Sequence, residues 1–170
     1  MRESKNKVHF MTQAAMIAAI YTALTVAFAP IAYGPVQFRI SEALCILPFF
    51  TPAAIPGLFL GCAISNGMGV ALGTAVLPDV IFGSLATLIG AAGSYAVRRN
   101  KWLVCIPPII ANTLIIPWVL RYAYGAPELI PLMMLTVGIG EVLAVGVLGN
   151  LLLVTLERYK GLVFKRALNQ

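Results

Sequence analysis

Charge is scarce in this chain: only 11% of its 170 residues are Asp, Glu, Lys or Arg, and just six are acidic. Histidine is scarcer still. His9, the single one, lies before the first long apolar stretch, so the apolar segments hold no Ser/His or Cys/His pair and no histidine-based metal cluster. The three cysteines, Cys45, Cys62 and Cys105, stand singly without a Cys-x-x-Cys spacing. They point to neither a metal site nor a disulfide framework and read as buried small hydrophobes. An enzyme is not expected, and neither is a cofactor.

What the chain has instead is apolar bulk. It is 60% hydrophobic with a mean hydropathy of +0.91, far above a soluble domain, and reads as an all-α integral membrane protein with one domain over residues 1–170. The net charge of +6 comes from lysines and arginines gathered at the chain ends and in one short loop, where such residues orient membrane spans. A nucleic-acid partner is not expected. The start resembles a secretory signal, with Ala27-Phe28-Ala29 as an Ala-x-Ala site. However, the apolar run from Thr12 to Ala29 is about 18 residues, long enough to span a bilayer, and Pro30 follows directly. It is expected to stay as the first span.

Apolar stretches that read as membrane helices run Thr12–Ala29, Ala43–Phe50, Ala53–Leu72, Val80–Val97, Trp102–Leu120 and Ile130–Leu156. The second is short for a bilayer that takes about 20 residues to cross, and fusing Ala43 to Ile64 would give about five crossings instead of about six. Charge parity separates the two. With the larger count, Arg2, Lys5 and Lys7, the Arg98-Arg99-Asn100-Lys101 loop and the tail with Arg158, Lys160, Lys165 and Arg166 all face the cytoplasm. Tails over residues 1–11 and 157–170 then lie inside, and of 12 basic residues only Arg39 and Arg121 remain outside. This topology requires Pro48, Pro52 and Pro56 to split the region into a short helix, a turn near Thr51-Pro52 and a new helix. Started at Arg39, the short helix has about 12 residues and roughly 18 Å, too little to span alone. It must lean on its neighbours while the loop before it dips into the protein. Gly57-x-x-x-Gly61 and Gly69-x-x-x-Gly73 predict close helix packing.

The polar residues of this topology converge on the outer half: Arg39 and Glu42, three apart at a helix start, with Asn66, Asp79, Arg121 and Glu141. A charge at a helix centre in hydrocarbon costs about 2.5–3.5 kcal/mol on insertion scales, so such residues face a protein interior or a cavity. Glu141 falls about 11 residues and roughly 16 Å into its helix, and needs Arg39, Arg121, a proton or a ligand donor beside it. The outer acids Glu42, Asp79, Glu128 and Glu141 outnumber Arg39 and Arg121, which suggests a donor-rich or cationic ligand. Asp79 serves equally well as a helix N-cap after Pro78. Asn112 and Asn150 are expected to bond across helices, and Trp118, Tyr122 and Tyr124 read either as interface anchors or as a stacking lid. On the first helix, Ala14, Ala15, Ala18, Ala19 and Ala23 make a flat strip that accepts another helix, of this chain or of a partner.

Three stretches carry a family resemblance: Gln37-Phe38-Arg39-Ile40-Ser41-Glu42-Ala43-Leu44, residues 49–61 from Phe49-Phe50-Thr51-Pro52 to Gly61, and residues 79–88 from Asp79-Val80-Ile81-Phe82-Gly83 to Leu88. They resemble the QueT family of queuosine-precursor transporters, over nearly the whole chain. That resemblance implies a six-helix substrate-binding S-component of an energy-coupling factor (ECF) transporter, working with a transmembrane T-component and two ATP-binding-cassette ATPases and toppling in the membrane when loaded. It implies a deazaguanine ligand held by Arg39, Glu42, Asn66, Asp79 and Glu141, with the aminomethyl form favoured on charge over the cyano form or queuine. It also implies docking of the T-component on Ala14, Ala15, Ala18 and Ala19. The alternative is a proton-coupled secondary transporter using Glu141, against which stand the small size and the lack of an evident internal repeat.

Overall fold

A computed structural model describes residues 2–32 and 38–163, and among them every regular element is a helix. In chain order these are α1 (Arg2–Ala27), a one-turn helix (Ala29–Ala32), the 3-10 helix α2 (Ile40–Phe49), α3 (Ala54–Ala71), α4 (Asp79–Ala96), α5 (Ile106–Tyr122) and α6 (residues 130–163). A π-helical turn, Asp79–Gly83, opens α4, and a π-helical stretch, Val142–Gly149, interrupts α6. Four helical stretches are long and apolar enough to cross a membrane, namely Asn6–Ala27, Ala54–Ala71, Asp79–Ala96 and Ile130–Tyr159, while α2 and α5 are apolar but shorter.

The burial pattern is inverted relative to a soluble protein. Ile64, Ile89, Leu114, Leu135 and Leu151 are exposed, whereas Arg39, Glu42, Asn66, Asp79 and Glu141 are buried. An apolar exterior around charged interior groups is stable only where the surroundings are hydrocarbon. This is a membrane protein, an all-helical bundle.

Several sequence expectations change in detail. Residues expected as an N-terminal tail are helical from Arg2, and α6 continues through the start of the expected C-terminal tail to Val163. Pro48 lies inside α2 and does not break it; only Thr51-Pro52 does. Pro56 sits in the first turn of α3, where an N–H would have no acceptor in the helix anyway. As a 3-10 helix rising about 2.0 Å per residue, α2 covers about 20 Å with few residues, still short of the hydrocarbon thickness. It therefore leans on others: Ile46 and Leu47 join Tyr21, Leu58, Val145 and Leu153 in the main core.

The two glycine motifs part company. A Cβ on Gly57 would stand 2.8 Å from the Ala14 carbonyl oxygen, and one on Gly61 would stand 2.8 Å from Tyr21 Cβ and 3.0 Å from the Ala18 carbonyl oxygen. These glycines let the backbones of α1 and α3 touch. Gly73 does something else. It has φ +73° and ends α3, its N–H bonding the Val70 carbonyl while Thr74 N–H bonds that of Gly69 at 2.8 Å, a left-handed C-terminal cap open to glycine.

Hydrogen bonds assign the helix ends. Thr51 Oγ1 donates to Gln13 Oε1 at 3.0 Å, and Lys101 Nζ pairs with Glu157 Oε2 at 2.9 Å. A groove formed by Gln13, Leu47, Thr51 and Leu156 joins these at one end of the bundle. At the other end Arg39 reaches the Ala32 carbonyl, Asn66 the Asp79 carbonyl, and Tyr124 the Asp79 carboxylate. The basic loop and the C-terminal part of α6 thus lie together, opposite the buried charges.

Candidate ligand site

Arg39 precedes α2 in extended conformation, φ −103° and ψ 107°, and Glu42 lies in the first turn. A 3-10 helix has three residues per turn, so positions three apart stack on one side. The local geometry thereby turns both charges toward α1 and α3. Glu42 Oε1 accepts the hydroxyl of Tyr21, which is wholly buried on α1, and Oε2 accepts from Cys45 Sγ at 3.0 Å. Thr25 Oγ1 donates to Ser41 Oγ at 2.7 Å and fastens the start of α2 to α1.

Arg39 Nε is 3.5 Å from the Ala32 carbonyl oxygen and Nη1 is 3.9 Å from Cys62 Sγ. Its charge is felt by Tyr21, Asp79 and Glu42. Asn66, one turn beyond Cys62, donates from Nδ2 to the Asp79 backbone carbonyl at 2.9 Å. Gly83 makes that bond possible, since a Cβ there would lie 2.9 Å from Asn66 Nδ2. Asp79 caps no helix; its Oδ2 accepts the Tyr124 hydroxyl. Glu141, at the last α-helical position before the π stretch of α6, lies within electrostatic reach of Glu42 and beside the Asn112 amide. Helix α2 is brought against that stretch where Gly149 meets Ile46 and the Ala43 carbonyl.

All five residues expected at a ligand site are therefore buried, and hydrogen bonds and charge contacts link Arg39, Glu42, Asn66, Asp79 and Glu141 around Tyr21 and Cys62. Asn66 Oδ1 and Asp79 Oδ1 are buried without a hydrogen-bond partner, and Glu141 Oε2 and Asn112 Nδ2, on side chains that face each other, make no close hydrogen bond. Each such atom costs about 1–3 kcal/mol unless something else satisfies it. Arg121 does not join them, being exposed and donating from Nη1 to the Ala126 carbonyl at 2.8 Å. Asn150 bonds back to Gly146 in its own helix rather than across helices. The Tyr124 hydroxyl is tied to the Asp79 carboxylate, while the rings of Trp118 and Tyr122 stack on each other at 6.1 Å on the exposed face. Gln37 and Tyr33, with the loop expected to dip inward, lie outside the described residues, as do Lys165 and Arg166.

The residues sequence reasoning missed are Tyr21, Cys45 and Cys62. A tyrosine in mid-span is a signal in itself, because its hydroxyl needs a partner in hydrocarbon. The cysteines gave none.

On the α1 strip the alanines divide. Ala14 and Ala18 are buried against Gly57 and Gly61 and pack within this chain. Ala15 and Ala19 are exposed. With Ala18 and Ala23 they line a shallow groove of about 670 Å³ whose other wall is Leu60, Ile64 and Met68 of α3.

A family model described as QueT transporter matches residues 11–158, from the first turns of α1 to the Arg158 end of α6. The chain belongs to the QueT transporter family. Its match takes in every residue of the buried cluster. Among curated relatives, the queuosine precursor transporter QueT of Lactococcus lactis subsp. cremoris (strain MG1363) is 38% identical over 87 residues, 50% of this chain and 48% of that protein. The QueT-family chain spans about half the length of the curated relative it matches. No solved structure matches it significantly.

Proposed function

We propose that this protein is the substrate-binding S-component of an ECF-type importer that captures a queuosine precursor, a deazaguanine, from outside the cell. A T-component and two ATP-binding-cassette ATPases would drive its release inward. The observation that carries this reading is the set of buried polar atoms left to satisfy in a QueT-family bundle, the acceptors Asn66 Oδ1, Asp79 Oδ1 and Glu141 Oε2 among them. A deazaguanine presents a ring N–H and an exocyclic amine on one edge, which carboxylates accept, and a carbonyl that Arg39 reaches as a charged donor. Purified protein should bind a deazaguanine saturably, and proteoliposomes should take it up only when the partner subunits and ATP are present. Uptake by the isolated chain under a proton gradient would replace this reading with a proton-coupled secondary transporter.

Six crossings with both termini in the cytoplasm are part of the proposal. The alternation of helix ends supports it, since the Lys101 loop, the Thr51 turn and the Glu157 end of α6 gather opposite Arg39 and Tyr124. Four long apolar stretches plus the shorter α2 and α5 supply the helices. Lys101→Cys should resist an impermeant thiol reagent in intact cells, and Gly125→Cys should react. Labelling at position 101 would end the six-span topology. Docking of the T-component is proposed at the groove lined by Ala15, Ala19 and Ala23.

A further inference from the structure

Beside the short helix α2 the wall of the bundle is not flat. A groove of about 260 Å³ opens between α1, α2 and α6 and follows α1 from Gln13 to Ile20, about 10 Å along the axis. Met16 and Ile20 stand exposed along it, and Leu47 and Leu152 line it from the other two helices. Gln13 and Thr51 are the two polar side chains of its lining, and they sit together, Thr51 Oγ1 donating to Gln13 Oε1 at 3.0 Å. The groove therefore has a polar end and an apolar body.

The polar end lies at the basic end of the bundle. Arg158 is exposed just past Leu156, the groove residue nearest that end of α6. Arg98 and Arg99 are exposed on the loop whose Lys101 pairs with Glu157 at 2.9 Å, so the acid next to Leu156 is already compensated. A positive rim of this kind attracts anionic headgroups. The body of the groove calls for a chain rather than a helix. Helices approach closely in lipid where the contact residues are small, and here the rim carries Met16 and Ile20. A flexible acyl chain passes between such side chains and restores the dispersion contacts that atoms facing a gap lose.

We propose that this groove holds one anionic phospholipid, with an acyl chain along Met16 and Ile20 and the phosphate at the Gln13 end, in the field of Arg99 and Arg158. The lipid fills the space that α2 leaves between α1 and α6 and so braces the helix that carries Glu42. This lipid site is separate from the buried cluster and does not depend on which solute the protein carries.

The test releases the full-length protein from nanodiscs of equimolar phosphatidylglycerol and phosphatidylcholine with matched acyl chains, and counts the lipid it retains by native mass spectrometry. Each base near the headgroup corresponds to about a fivefold gain in affinity for the anionic lipid. The wild type should retain one phosphatidylglycerol in preference to phosphatidylcholine by at least that factor. The Arg99→Gln/Arg158→Gln variant should hold the two lipids equally, and Met16→Trp and Ile20→Trp, which fill the groove from its exposed rim, should retain neither. The wild-type comparison needs no variant, so it decides the matter even where a tryptophan disturbs the fold. Equal retention of the two lipids by the wild type, or retention of none, overturns the proposal. Undiminished phosphatidylglycerol in both tryptophan variants also overturns it, because the lipid then sits elsewhere. Loss of a copurifying T-component from Met16→Trp with the retained lipid unchanged would give the groove to a protein partner instead.

Discussion

Glu42→Ala is expected to lose ligand binding and much of its folded stability together, whereas Glu42→Gln should lose binding alone. The carboxylate is the acceptor for two buried donors, the Tyr21 hydroxyl and the Cys45 thiol, and one of the two carboxylates acting on the buried Arg39. Alanine leaves those buried donors without their acceptor, at about 1–3 kcal/mol for the tyrosine alone. It also removes one of the negative charges that act on the buried Arg39. Glutamine keeps the shape and offers one oxygen to Tyr21, so the α1–α2 contact should survive. What it cannot supply is the second charged acceptor, and affinity should fall about tenfold to a hundredfold. Melting of both variants in detergent, with ligand titration of whichever stays folded, separates the two roles. A Glu42→Ala protein as stable as the wild type would show that Glu42 organises nothing, and a Glu42→Gln protein with unaltered affinity would remove it from the site.

The charged members of the cluster were legible in the sequence because their cost in hydrocarbon is large. Arg39, Glu42 and Glu141 required a protein interior or a cavity, whereas Asp79 read equally well as a helix N-cap. Cys45 and Cys62 were not legible, since a thiol is cheap to bury and its weak hydrogen bonding shows only once Glu42 or Asn66 lies beside it. The helix end near Thr51 follows from proline chemistry, yet neither the capping role of Gly73 nor the winding of α2 does. Whether a short apolar run coils as a 3-10 or an α-helix depends on the distance its neighbours require it to cover. The two π-helical segments are in the same position: nothing in Asp79-Val80-Ile81-Phe82-Gly83 marks it as wider than the helix after it.

The alanine strip on α1 shows how spacing can be read correctly and still leave the face undecided, and it gives a second large effect. Successive helical residues are about 100° apart, so Ala14 and Ala18 share one line and Ala15 and Ala19 the next. Sequence alone cannot say which line meets α3; the backbones of Gly57 and Gly61 settle it for Ala14 and Ala18. A tryptophan at position 18 must therefore drive α1 off α3 and pull Tyr21 away from Glu42, and Ala18→Trp should fail to fold or to bind ligand. Tryptophan at 15 or 19 projects instead into the groove beside Leu60 and Ile64, filling it without touching the buried cluster at the other end of Tyr21. Close approach of helices in lipid depends on small residues at the contact. If that groove seats the T-component, Ala15→Trp and Ala19→Trp should bind deazaguanine as the wild type does, yet copurify without partner subunits and lose ATP-dependent uptake. Full uptake in both would move the docking surface elsewhere. Lost binding in both would mean that the groove, too, closes within this chain.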